Sequence, residues 1–125
     1  MQYPFFHYRY HAYRQRPDIG TVLMCVPEPG NVHDPYAVAI KDSMNNIIGH
    51  VPRNICNVVS IAMNVHHILL RAHAIYIGGT ISEGPVRGGG VKLPCIYLLD
   101  FRDFNGLLRA SDILKNYIPD DCLCL

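Results

Sequence analysis

The chain has 125 residues, of which half are hydrophobic and 17% charged, and its 11 Lys and Arg against 10 Asp and Glu leave a formal charge of +1. That length suits one domain and is too short for two good cores, and so much apolar material excludes a charge-swollen disordered chain. The near-neutral balance argues against broad electrostatic binding along a duplex, although a compact site gripping a few nucleotides needs only a few phosphate contacts.

Cysteines at 25, 56, 95, 122 and 124 form an odd, irregular set unlike a secreted disulfide framework, so reduced thiols are expected. The start MQYPFFHYRYHAYR has no charged segment followed by an apolar core, and no run reaches the roughly 18 apolar residues of a spanning helix. A soluble nuclear or cytoplasmic protein without a membrane partner is expected. It should form a single domain with a core of about residues 5–118 and a tail at 119–125.

Residues 5–13, FFHYRYHAY, interleave aromatic and polar side chains, which suits a first strand with one exposed face. Pro17 and Gly20 punctuate a turn before TVLMCV, 21–26, whose nearly continuous apolar character predicts a second strand buried on both faces. PEPGNVHDP, 27–35, concentrates turn formers and reads as a long loop. YAVAIK at 36–41 and IIGHV at 47–51 follow as strands three and four around the turn DSMNN.

After Pro52, apolar residues at Ile55, Val58, Val59, Ala62 and Met63 have the spacing of one helical face and predict a helix of about three turns. ILLRAHAIYIGGTIS, 68–82, reads as one long coiled strand with a bend at Gly78-Gly79. EGPVRGGG is a loop, and VKLPCIYLLDF, 91–101, is the last strand, pushed by Pro94 toward an edge or a bulge. LLRASDILKNYI, 107–118, suits a closing helix. The fold class is mainly β: a small, six-stranded, partly closed barrel of OB or SH3-like kind with one or two helices.

No catalytic or cofactor motif emerges. There is no C-x-x-C or H-E-x-x-H pair, adjacent His66 and His67 face different ways, and no metal site is expected. EGPVRGGGVK lacks the G-K-[ST] ending of a phosphate loop, though Arg87 and Lys92 can touch a nucleic-acid backbone. Cys25, Cys56 and Cys95 lie in apolar elements and read as inert core thiols. A binding protein, not an enzyme, is expected.

Residues 20–55, GTVLMCVPEPGNVHDPYAVAIKDSMNNIIGHVPRNI, join an apolar strand, the loop E-P-x-N-x-x-D-x-x-A-V and G-H-V-P leading into a helix. This arrangement resembles the HIRAN domain, and the resemblance extends more loosely from Tyr8 to Phe101. It implies an OB-like barrel that captures the 3′ end of single-stranded DNA, and it favours a nuclear protein linked to DNA repair. Asn31 and Asp34 then match the end-binding loop, Arg53 a basic residue at the helix start, and Arg9 and Tyr10 an Arg-Tyr pair on the first strand, with Tyr8 or Tyr13 as alternatives. His33 stands where a stacking tyrosine is expected, and Val91 near another aromatic position. Histidine stacks with less area and valine not at all.

A terminal nucleotide offers a hydroxyl, a phosphate and a π-face. Asp34 would supply the acceptor, Asn31 and Arg53 the donors, and Tyr10 and His33 the platform. Each has a plainer reading as well: Asn31 and Asp34 close a turn, Arg53 is a solvated arginine, the tyrosines are half-buried sheet residues, and His50 and Gly49 are structural. RNA remains open beside DNA as a ligand. A protein partner bound at an exposed strand edge is the rival function.

Overall fold

A computed structural model describes residues 2–12, 17–79 and 91–116. Six strands alternate with two helices: β1 Gln2–Ala12, β2 Val22–Pro27, β3 Val38–Lys41, β4 Ile47–His50, α1 Arg53–Asn64, β5 Leu69–Tyr76, β6 Val91–Phe101 and α2 Phe104–Leu114. The strands close into a barrel in the order β1-β4-β3-β2-β5-β6, every neighbouring pair antiparallel. The long β1–β6 ladder is the main seam, whereas β1 meets β4 only at His11–His50 and Ala12–Gly49. The expected barrel is therefore present, with its ring complete.

Alternation along each strand turns one set of side chains inward. Tyr10 and Ala12 of β1, Leu23 and Cys25 of β2, Ala72, Ala74 and Tyr76 of β5, and Leu93, Cys95, Tyr97, Leu99 and Phe101 of β6 are all buried. The second strand corrects the expectation that it is covered on both faces. Val22 and Met24 are about half exposed, because the barrel covers only its inner surface and neither helix lies over these two side chains.

Pro94 is not on an edge either. Its strand pairs with β1 and β5, and Pro94 lies beside a one-residue bulge in β1 between Phe5 and Tyr8. The predicted fifth strand is shorter than expected. It ends at Tyr76, and Gly78 and Gly79 follow with positive φ of 94° and 80°, a conformation that glycine adopts without penalty.

α1 packs against β5, β2 and β3, burying Ile55, Cys56, Val59, Ser60 and Ala62, while Val58 and Met63 of the predicted stripe are only partly covered. α2 packs against α1, β1 and β6. It starts three residues before its predicted position because the Asp103 carboxylate caps it, accepting from the Gly106 N–H at 2.8 Å. Gly106 also lets α2 approach closely, since a Cβ there would lie 3.1 Å from Cβ of Ile68. None of the described helices is long and apolar enough to cross a membrane.

Candidate nucleic-acid interface

The connection from β2 to β3 is closed at its base by the Glu28 N–H donating to Ala37 O at 2.8 Å. Within it, Asn31 Oδ1 accepts from the N–H groups of His33 at 2.9 Å and Asp34 at 3.1 Å. Asp34 Oδ1 accepts from Tyr36 N–H at 2.9 Å, and Asp34 O from Ala37 N–H at 3.1 Å. These are side-chain turns that replace missing backbone partners, so the plain turn-closing reading holds for one oxygen of each residue. It also explains why Tyr36 and Ala37 belong to the loop and not to the third strand, which begins at Val38.

The second Asp34 oxygen faces elsewhere. Oδ2 lies 4.0 Å from Nε of Arg53 and 3.8 Å from Sγ of Cys56, whose single thiol proton also has Arg53 O and Asn57 Oδ1 within reach, each at 3.6 Å. Burial, and then the negative charge of Asp34, push the Cys56 thiol up to about 11, so it stays a proton donor at neutral pH. Arg53 opens α1 with its side chain 81% exposed, while the Asp34 side chain is 20% exposed. The helix has Pro52 at its N-cap, no side-chain cap and no acid in its first turn, leaving the positive end of its dipole unneutralised by its own residues. The arrangement can hold an anion beside Arg53 and accept a hydrogen bond from a hydroxyl at Asp34.

A second tie braces the same loop. His50, the last residue of β4, makes a 2.5 Å contact through Nε2 with Glu28 Oε1, and each side chain is about a quarter exposed. Sequence reasoning took His50 as structural and did not single out Glu28. Tyr36 was also missed as a candidate. It is 43% exposed in the loop beside Asp34, an accessible aromatic whose only sequence signal is its place directly after Asp34-Pro35.

Asn31, His33, Asp34 and Arg53 thus share one region, and His33 is exposed there. Lys92 is placed only by register: it pairs with His11, which pairs with His50, so Lys92 lies two strands, about 10 Å, from His50. Tyr10 does not join. It is fully buried in the barrel because it shares the inward parity of Ala12, so it offers no face for a base. Arg9 pairs with Pro94 in the β1–β6 ladder, while Tyr13 lies outside the described residues. Val91 pairs with Ala12 at the start of β6. Among the described residues no three His, Cys, Asp or Glu side chains gather as metal ligands.

A family model described as HIRAN domain matches residues 2–82. The crystal structure of the HIRAN domain of human HLTF superposes with a TM-score of 0.66 at 15% identity, covering 92% of this chain and 91% of that one. An NMR structure of the HLTF HIRAN domain gives 0.64 at 13%, covering 90% and 86% respectively. These structural likenesses establish the shared fold. No curated protein matches the sequence.

Proposed function

The chain belongs to the HIRAN domain family, whose domains are binding modules known for nucleic acid and not catalysts, and from that premise we propose that it holds the 3′ end of single-stranded DNA. The observation that carries this reading is the second Asp34 oxygen, not used by the turn, 4.0 Å from the Arg53 guanidinium at a helix start with no side-chain cap. Asp34 accepts a hydrogen bond from the terminal hydroxyl, while Arg53, at the positive end of α1, holds the adjoining phosphate. Asn31 stiffens the loop, and the exposed faces of His33 and Tyr36 supply stacking surface in place of the buried Tyr10. Lys92, two strands from His50, supplies a further cation for the backbone of the strand. A nuclear role accords with such a ligand.

Fluorescence anisotropy with matched oligonucleotides bearing a free or a blocked 3′ hydroxyl tests it. The free end is expected to bind at least about tenfold tighter, the worth of one charge-assisted hydrogen bond. Equal affinity removes end recognition, and no binding to either removes the function. A matched RNA strand identifies the sugar preference.

A further inference from the structure

Glu28, the residue after β2, makes more connections than a turn position requires. Its N–H donates to Ala37 O at 2.8 Å and its carbonyl accepts from Asn31 N–H at 3.0 Å, so its backbone both closes the loop and starts the turn that carries Asn31. Its side chain crosses to β4, where Oε1 meets His50 Nε2 at 2.5 Å. A carboxylate only accepts, so Nε2 carries the hydrogen of this bond. His50 is itself fixed in the barrel wall. Its register partners are Ala39 on β3 and His11 on β1, and directly after it Val51 N–H donates to Val38 O at 2.9 Å. Arg53 follows three residues after His50, across Pro52.

The bonds made by Asn31 Oδ1 and Asp34 Oδ1 tie the loop to itself and leave its tilt against α1 to be set from outside. The contacts that could set it differ in strength. Asp34 Oδ2 stands at the outer limit of an ion pair, 4.0 Å from an arginine whose side chain is 81% exposed, where solvent screening leaves little attraction. The Cys56 thiol near the same oxygen is a weak donor with other acceptors in reach. Glu28 on His50 is short, largely covered and has an anionic acceptor, which makes it the strongest of these ties.

We propose that Glu28 is a positioning residue of the strand-end site: its carboxylate, held on His50, fixes the tilt of the 28–37 loop and with it the separation of Asp34 Oδ2 from Arg53. The proposal rests on the strand-end reading above. A nucleotide end must meet the carboxylate and the guanidinium together, so a loop that leans away loses the hydroxyl contact while Arg53 still attracts phosphate. Preference for a free end then depends on Glu28, whereas general affinity for a strand does not.

The test is anisotropy on the full chain with the free and blocked 3′ hydroxyl oligonucleotides, read as the ratio of the two affinities, for the parent, Glu28→Ala and Glu28→Gln. Glu28→Ala should lower the ratio by about fivefold and leave blocked-end affinity within about twofold. Glu28→Gln keeps an amide oxygen to accept from His50 Nε2 and should retain at least about half of the parent's ratio. Without oligonucleotide, the amides of Asn31, Asp34 and Ala37 should exchange hydrogen faster in Glu28→Ala than in the parent, and near the parent's rate in Glu28→Gln. A parent that discriminates, paired with a Glu28→Ala that discriminates equally well, would overturn this proposal and leave the strand-end reading standing. A parent that binds both ends alike would remove that reading and this proposal with it. An equal fall in affinity for both oligonucleotides, or a Glu28→Gln no better than Glu28→Ala, would also overturn it, because either marks general loss of the loop and not of its tilt.

Discussion

Two loops of this barrel use the same turn chemistry and end with different amounts of it left over. In the hairpin between β3 and β4, Asp42 Oδ1 accepts from the N–H groups of Met44 and Asn46, and Oδ2 from the Asn46 side chain at 3.3 Å. Asn45 supplies the left-handed residue at φ 65°. Every carboxylate oxygen is spent on the turn. In the loop after β2, Asp34 spends one oxygen on the turn and aims the other at Arg53 and Cys56. A turn residue becomes a candidate binding group when its geometry leaves an acceptor over and a neighbouring element supplies a complementary charge. Residue type alone does not distinguish the two.

The sharpest way to break this contrast is to treat both acids alike. Asp34→Ala is expected to lower affinity for a free 3′ end by about tenfold or more, whereas Asp42→Ala leaves it within about twofold. Asp34→Asn keeps a turn acceptor and discards the charge, so a loss equal to that of alanine locates the effect in the carboxylate. Next in size is His33→Tyr, which enlarges the stacking face and should tighten single-strand binding by roughly fivefold, about 1 kcal/mol. Arg53→Gln comes third. On an exposed side chain it should cost about threefold and reduce the slope of log affinity against log salt by about one. Anisotropy titrations at several salt concentrations read all of these, and an Asp42→Ala loss matching that of Asp34→Ala would erase the distinction.

Much of the fold was legible because it depends on patterns that the chain carries locally. Strand β6 ran over the predicted residues 91–101, and the turn DSMNN closed as a hairpin. The mistaken expectations came from what only closure decides. Apolar Val22 and Met24 look like doubly buried strand residues, yet a barrel this small has an outside. Tyr10 looks like a surface platform among polar neighbours, yet parity with Ala12 sends it inward, where its hydroxyl finds no partner among the described residues. The loop residues Asn31 and Asp34 and the helix residue Arg53 were readable as a set because they sit in one resembling segment. The direction of the second Asp34 oxygen, the Glu28–His50 brace and the exposure of Tyr36 needed coordinates, since each depends on where a second element lies. Tyr10→Phe checks the burial of that ring. It should leave oligonucleotide affinity unchanged and raise the melting temperature by about 4 °C, as deleting an orphaned buried hydroxyl removes about 1 kcal/mol of desolvation cost.

The smallest effect is the most diagnostic of what a turn acid does when nothing is left over. Backbone donation from Asn46 is the chief cause holding the Asp42 carboxyl below its ordinary value, with further help from the Asn46 side chain and Met44 N–H. A carboxyl lowered on folding stabilises the fold at pH values above its unfolded value, and that stabilisation fades as pH falls through the lower folded value. Asp42→Ala should therefore melt slightly earlier than the parent at pH 7, and the gap between the two curves should narrow as pH falls through the lowered folded value and the parent loses its charge. Thermal melts across pH 2 to 7 measure this. A gap that persists undiminished into acid would mean that the hairpin is held by something other than the ionised carboxylate, and the comparison with Asp34 would lose its structural control.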